Sequence, residues 1–231
     1  MSLHLISKPP CPGPGLQRRA ALSRLAWAGI AGTAGLAGCG ASLLPKPAPT
    51  PALYGLDDGA GPATPAPAAP GAPGAPGLLV TIPRAAPGLD TRLMAYQRQP
   101  QRIDHYAASE WLDTPPRLLA PLLVRALEAS GAFGVVLLAP AAASTRWRLD
   151  TELLRLQQNF GPGPSQLRLT LRAVLVDSAN RTVLAAREFD TSLPAASEDA
   201  AGGVAAAQRA ALQVARDLAG FCAQAVARAG A

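Results

Sequence analysis

Few residues of this chain are of a type that could perform acid–base or metal chemistry. After residue 39 there is a single histidine, His105, and one histidine alone supports neither a zinc site nor a serine–histidine–aspartate triad. Asp150 and Glu152 are two positions apart in a predicted strand, so both carboxylates point to one face, where a pair could transfer protons or bind a metal. Arg148 and Arg155 lie close in sequence, which favours a solvated sheet face instead.

Two further motifs do not indicate catalysis. The stretch Gly161-Pro162-Gly163-Pro164 cannot cradle a phosphate, because prolines lack the backbone N–H donors that a phosphate loop needs. Cys222 is expected to be a small buried residue in a helix. The sequence therefore predicts a protein that is not an enzyme and that uses no metal and no cofactor.

Covalent chemistry is indicated at one place, the stretch Leu36-Ala37-Gly38-Cys39. It resembles a lipobox, at which bacterial lipoprotein processing attaches a diacylglyceryl group to the cysteine and cleaves the chain before it. Cys39 would then be the lipidated first residue of the mature protein, and a third acyl chain is usually added to its freed amine. Two or more chains anchor a protein stably, at about 0.8 kcal/mol per buried methylene.

The residues before Cys39 fit a signal peptide over 1–38. Arg18, Arg19 and Arg24 form its positive region, and the apolar run over 25–35 is too short to span a bilayer. The arginine pair also allows export by the twin-arginine route, and the competing interpretation of 25–38 is an Ala/Gly-rich core helix. Gly40 follows the cysteine in place of an aspartate, which favours transfer to the outer membrane.

Residues 39–77 are predicted to form a lipidated, Pro/Ala-rich tether. Proline- and alanine-rich stretches bury little apolar surface and stay extended, so this tether could reach at most on the order of 100 Å. The stretch Leu53-Tyr54-Gly55-Leu56 interrupts the tract and could add a short strand to the folded domain. That domain is expected over 78–229.

Most of the positive net charge of the chain lies before Cys39. A formal net charge of +6 and a pI near 9.9 would suit a nucleic-acid-binding protein. Four cations and no acid precede Cys39, so the rest of the chain carries only +2. Because arginines alternate there with acids and form no basic run, no nucleic-acid partner is expected.

The strand pattern of the folded part predicts a sheet with one buried face. We expect a buried strand over 78–82, a hairpin from 92–97 and 102–106, a strand over 133–138, and three long alternating strands over 147–157, 167–176 and 183–193. In the middle one of these, leucines alternate with Arg168, Thr170 and Arg172. Such alternation is typical of a half-buried antiparallel meander.

Two helices are predicted between and after these strands. The first has Thr114 as its N-cap, two prolines in its first turn and Gly131 at its end. The second has Ser197 as its N-cap, with Glu198 and Asp199 in the first turn. The predicted fold class is α+β, with the order strands–helix–strands–helix: a mixed, largely antiparallel sheet covered on one face by two helices.

The mature chain resembles the ABC-type transport auxiliary lipoproteins, also called PqiC-like lipoproteins. Where this family has Leu-Asp-Arg, this chain has Thr91 in the third place, and Leu112-Asp113 replaces a common Ala-Glu. The features that carry the resemblance, in order, are the lipobox, Tyr54-Gly55-Leu56, Leu79-Val80-Thr81-Ile82-Pro83, Leu89-Asp90-Thr91, Tyr96, Arg102-Ile103-Asp104-His105-Tyr106, Trp111 and the Leu-rich helix to Leu127.

The resemblance implies a non-catalytic role in intermembrane transport of lipids or organic solvents. Members of the family accompany an ABC permease, its ATPase and a periplasmic MCE-domain protein, which the lipoprotein would dock at the outer membrane while its domain faces the periplasm. The resemblance also allows a homo-oligomeric ring. The alternative function is an outer-membrane lipoprotein that assists assembly or secretion as a binding module.

The candidate partner interface is the polar face of the 147–193 meander. Arginines on that face could meet acidic groups of a partner, although ordinary solvated strand faces would look the same in sequence. The candidates are Arg148, Arg155, Arg168 and Arg172.

Overall fold

The computed structural model describes residues 50–57, 74–142 and 144–230. The described residues contain nine strands and two helices. These are β1 (Ala52–Tyr54), β2 (Leu78–Val80), β3 (Arg84–Ala85), β4 (Leu93–Gln99), β5 (Arg102–Trp111), α1 (Pro115–Ala129), β6 (Val136–Leu138), β7 (Trp147–Asn159), β8 (Gln166–Asp177), β9 (Thr182–Pro194) and α2 (Ala200–Gly230).

Strand β7 is the strand around which the sheet is arranged. Along one side it pairs antiparallel with β8, which pairs antiparallel with β9. Along its other side it pairs in parallel with three shorter strands in succession, β2, β3 and β4. Beyond these, β6 runs parallel to β2, β5 antiparallel to β4, and β1 parallel to β5. The predicted α+β class and mixed, mostly antiparallel sheet are confirmed.

The leucines of β7 and β8 form the inner face of the sheet. Leu149, Leu153, Leu169, Leu171 and Leu175 are each 0% exposed. The register of β7 shifts after Leu153, so that Leu156 takes the next buried position at three residues instead of two. A bulge of this kind adds one residue to a strand and restores the alternation beyond it.

Helix α1 buries a leucine face against the core, as its period predicts. Leu119, Leu123 and Leu127 are at most 2% exposed, whereas Pro121 is exposed inside the helix. Thr114 occupies the N-cap position, but its side chain makes no capping hydrogen bond. Its backbone N–H instead donates to Oδ1 of Asp113 at 2.7 Å.

Helix α2 covers the sheet with small residues. Buried alanines dominate its inner face, with Val214, Leu218 and Cys222 among them. Ser197 is not its N-cap, contrary to the prediction. Asp199 Oδ1 accepts the N–H of Gly202 at 2.8 Å, and the hydroxyl of Ser197 donates to that same oxygen at 2.6 Å. A carboxylate at the N-cap accepts an unpaired N–H of the first turn and also carries a negative charge that the helix dipole favours. Asp199 therefore caps α2, and the hydroxyl of Ser197 holds the Asp199 carboxylate in place.

Glu198 also lies before the helix, and it binds elsewhere. Its Oε1 accepts the backbone N–H of Ser165 at 2.8 Å. The hydrogen bonds from Ser197 and from the N–H of Gly202 lower the pKa of Asp199. Glu198 and Asp199 were predicted to lie in the first turn of α2. In the structure both precede the helix.

Residues 52–56 belong to the folded unit. β1 pairs with β5, with Tyr54 opposite Trp111, and Leu56 is only 1% exposed. The side chain of Gln208 on α2 donates a hydrogen bond to the carbonyl of Asp57. The segment that the sequence marked as capable of adding a strand therefore joins the sheet ahead of residue 78.

The described helices give no evidence of a membrane span, since neither combines the length and the apolar character that a crossing helix requires.

The start of α2 tolerates no side chain at Gly202. A Cβ there would collide with the backbone of Ser197, so Gly202→Ala should lower the free energy of unfolding by about 1–3 kcal/mol through overpacking. Gly220→Ala is the matched control, because its Cβ would meet no described atom within 4 Å and alanine favours helix by up to about 1 kcal/mol. Urea denaturation of both variants measures the difference; equal effects would contradict this packing.

Candidate partner-binding face

We define the open face as the side of the β7–β8–β9 sheet opposite the helices. On β7 it carries Arg148, Asp150 and Glu152, and the register shift after Leu153 places Arg155 on the same side. On β8 it carries Arg168 and Arg172, whose neighbours Leu167, Leu169 and Leu171 are buried on the other side. The structure therefore brings the four predicted interface arginines together on one face.

The carboxylates proposed from sequence as an acid–base pair are matched to cations. Asp150 and Glu152 do lie on one face, but Asp150 forms an ion pair with Arg148 at 2.9 Å and Glu152 with Arg172 at 3.8 Å. Arg172 also reaches Glu188 on β9 at 3.3 Å. Glu152 and Glu188 pair with Arg172 across neighbouring strands, whereas Asp150 pairs with Arg148 within β7. The favoured interpretation of a solvated sheet face agrees with this geometry.

Asp190 on β9 is the most strongly held acid of the open face. It accepts two hydrogen bonds from Arg168, at 3.0 and 2.7 Å, and one from the hydroxyl of Thr170 at 2.7 Å. The bidentate bond from Arg168, followed by that from Thr170, lowers the pKa of Asp190 to about 2. Fork-on-fork arginine–carboxylate geometry is among the stronger surface contacts.

Arg155 differs from the other three arginines. Its Nη1 donates to the hydroxyl of Thr170 at 3.5 Å, and within the described part of the chain it forms no ion pair with an acid. The open face thus holds four arginines and four acids, Asp150, Glu152, Glu188 and Asp190. A face with balanced charge does not attract a polyanion. Among the described residues of this face, Arg155 is the arginine without a direct ion pair, and its charge acts on Asp190 only at longer range.

The other candidate chemical groups are not placed for catalysis. His105 is exposed on β5, and Cys222 is 0% exposed, with burial raising the pKa of its thiol to about 12. A thiol with such a pKa is not a nucleophile at neutral pH. Within the described ranges, no three His, Cys, Asp or Glu side chains form a group that could hold a metal ion.

The lipobox residues Leu36, Ala37, Gly38 and Cys39 lie outside the described residues. Lipidation of Cys39 therefore remains a prediction from sequence.

A buried polar chain that the sequence did not reveal lies at one end of the sheet. The hydroxyl of Tyr106 donates to Oε1 of Gln158 at 2.9 Å, and Nε2 of Gln158 donates to Ser165 at 2.8 Å. Burial raises the pKa of Tyr106 to about 12, so the hydroxyl keeps its proton. Gly203 on α2 leaves the space that Gln158 fills.

This polar chain joins β5, β7, the turn before β8 and the start of α2. Its signal in the sequence is weak. Strict alternation along β7 would place Gln158 on the open face, and only the bulge after Leu153 puts its side chain on the buried face. The ring of Tyr106 also packs against that of Tyr96 in a tilted arrangement, with 4.8 Å between the ring centroids and 50° between the ring planes. The group is positioned to stabilise the fold.

The pairing of Asp190 predicts a pH-dependent contribution to stability. Its pKa is lower in the folded chain, about 2, than in an unfolded one, about 3.9, so the contribution is present above pH 4 and is lost as pH falls towards 2. Asp190→Asn should lower the free energy of unfolding at pH 7 by up to about 1 kcal/mol, as for exposed ion pairs, and by less at pH 3. Urea denaturation at both pH values measures this, with Asp217→Asn on exposed α2 surface as the control. A deficit that does not shrink at pH 3 would contradict it.

Comparison with known proteins identifies a family for the chain but finds no similar protein among those with curated functions. The model of the family described as "ABC-type transport auxiliary lipoprotein component" matches residues 54–219. That range begins in β1 and ends within α2, and so contains the whole described sheet except the first residues of β1. No curated protein matches the sequence.

Two solved structures are similar in fold. Protein XCC0632 from Xanthomonas campestris, a DUF330 protein, is 25% identical, with a TM-score of 0.63, over 68% of this chain and 88% of that one. A second crystal structure, of a protein described as uncharacterized, is 13% identical, with a TM-score of 0.59, over 75% of this chain and 99% of that one. The family match spans well over half of the residues, and the resemblance inferred from the sequence is confirmed: the chain belongs to the ABC-type transport auxiliary lipoprotein family.

Proposed function

We propose that this chain is a non-catalytic lipoprotein that is anchored in the outer membrane through Cys39 and docks the MCE-domain protein of an ABC-type intermembrane transport system. The observation that carries the proposal is the family match over residues 54–219. Through the MCE-domain protein, the chain would be linked to the permease and its ATPase. The cargo is a lipid or organic solvent, and the folded domain faces the periplasm.

The balance of charges on the open face supports a binding role without catalysis. Asp150, Glu152 and Asp190 are each paired with an arginine. A carboxylate whose oxygens are held by a guanidinium is poorly placed to accept a proton from a substrate. Cys222 is buried and protonated. What the face offers a partner is a pattern of arginines, and that pattern suits recognition.

The anchor and the sheet set the distance of the domain from the membrane. Because β1 begins at Ala52, residues 40–51 alone separate Cys39 from the sheet. In polyproline II form this stretch spans at most about 40 Å. The domain would therefore stay close to the membrane that holds its acyl chains, which suits a component that fixes a periplasmic partner there.

The open face is the surface that we assign to the partner. Arg155 provides a guanidinium that forms no direct ion pair with any described acid, and Arg168 and Arg172 lie on either side of its Thr170 contact. A partner carboxylate at Arg155 would add an ion pair that also touches Thr170. A homo-oligomeric ring, if formed, would present several such faces to one MCE assembly.

The first test concerns the anchor. Cys39→Ala should abolish incorporation of a radiolabelled or alkyne-tagged fatty acid and shift the protein from the membrane to the soluble periplasmic fraction, because both predicted attachment points, the thiol and the freed amine, belong to Cys39. Cys222→Ala is the matched control and should leave labelling unchanged. Labelled acyl chains that remain on the Cys39 variant would overturn the lipobox interpretation.

The second test concerns the partner. The chain purified from gently solubilised membranes should carry an MCE-domain protein, and Arg155→Glu should reduce its recovery at least fivefold, because a partner carboxylate would then meet a like charge. Arg216→Glu, an exposed position on α2, should leave recovery unchanged. Repeated absence of any MCE-domain protein, or recovery of outer-membrane assembly or secretion proteins instead, would contradict the proposal.

A further inference from the structure

Strand β9 has one edge without a partner among the described strands. It pairs with β8 over its whole length of 13 residues, and no described strand lies on its other side. Alternate backbone N–H and C=O groups along that edge are therefore open to another chain. Natural proteins protect such edges with charges, prolines or bulges, so the distribution of these along β9 shows where pairing is permitted.

From Arg187 to its end at Pro194, β9 is protected against pairing with another strand. Arg187 lies opposite Ala173 on the helix side of the sheet, and its guanidinium carbon is 5.0 Å from the ring centroid of Phe189. Such a charge on the inner side of an edge strand opposes the docking of another strand. At the end of the strand, Arg209 donates to the carbonyl of Pro194 at 2.7 Å, which occupies the last acceptor.

The first half of β9 lacks this protection. Residues 182–186 read Thr-Val-Leu-Ala-Ala and contain no charge. Val183 lies on the open face opposite Val176 and is 64% exposed. The register shifts beside Leu184, and the resulting bend limits an added strand to a few residues. The unprotected edge is therefore short and apolar.

A cavity of about 190 Å³ lies on the helix side of this short edge. Leu184, Ala185, Phe221 and Ala225 are among its apolar lining residues, and Gln224 and Arg228 are its polar ones. Its volume is several times the roughly 30 Å³ that one water molecule takes in the liquid, so an aliphatic side chain fits. Its lining contains no acid, and in the described part of the chain Arg228 has no ion-pair partner.

We propose that a short extended segment of a partner protein adds a strand to β9 at residues 182–186. One aliphatic side chain of that segment fills the cavity, the next packs over Val183, and an acidic residue of the segment faces Arg228. Added strands obtain affinity from main-chain hydrogen bonds and specificity from pockets for alternate side chains. This surface lies at the outer edge of the sheet, on a strand that carries none of the four candidate interface arginines, and it does not depend on lipidation of Cys39.

The size of the site argues against a second copy as the occupant. A stable dimer usually buries about 800 Å² on each partner, and pairing over five residues with a charged second half falls well short of that. Two copies joined edge to edge would also bring two Arg228 side chains and two Arg187 side chains into one small contact. A short extended segment with a carboxylate needs no large interface and brings no second set of arginines into the contact.

The test uses a fluorescent nine-residue peptide of alternating valine and threonine with a glutamate at each end. It is titrated with the full mature chain in detergent, and fluorescence anisotropy is measured. Binding should weaken at least tenfold with Ala225→Phe, which fills the cavity, and with Val183→Lys, which places a charge on the edge. Ala227→Phe, at an exposed position on the same helix, is the matched control and should bind normally.

Two further peptides separate this mode from unspecific adhesion. N-methylation of alternate residues should abolish binding because it removes the edge hydrogen bonds, and lysine in place of glutamate should weaken it at least fivefold. The proposal is overturned if the N-methylated peptide binds as well as the parent, if Ala225→Phe has no effect, or if the chain dimerises through this edge in sedimentation experiments.

Discussion

The packing of the alanine face of α2 on the leucine face of β7 and β8 is the interaction on which the rest of this structure depends. Small side chains such as Ala207 and Ala211 let the helix lie close to the sheet, and the leucines below them are removed from water almost completely. Because α1 and α2 lie on the same side, no described helix covers the opposite side of the three long strands. The polar, charge-paired open face follows from that asymmetry.

Strand alternation and helical period predicted most of the architecture. The leucines of β8, at every second position, indicated which face is buried, and the leucines of α1 recurred at helical spacing. The parallel pairing of β2, β3 and β4 in turn along β7 could not be predicted, because strands of two to seven residues carry no register information of their own. The bulge after Leu153 and the cap at Asp199 depend on tertiary contacts.

The sequence predicted which arginines lie on the candidate face, but it did not predict which acid each arginine contacts. The alternation of β7 and β8 placed Arg148, Arg168 and Arg172 on an outer face, but cross-strand partners follow from register, which sequence does not specify. Only the register shows that Glu152 and Glu188 both pair with Arg172. It also shows that Arg155 contacts Thr170 and, among the described residues, forms no direct ion pair. That difference turns a set of four equivalent arginines into one candidate contact.

The proposed function requires the open face to contact an MCE-domain protein. The most direct test places a photoreactive amino acid at position 155 of the chain in living cells, irradiates them, and identifies the cross-linked protein by mass spectrometry. We expect an MCE-domain protein to be cross-linked from position 155 and not from position 216 on the exposed side of α2. An MCE cross-link from position 216 alone, or cross-links from position 155 only to unrelated envelope proteins, would contradict it.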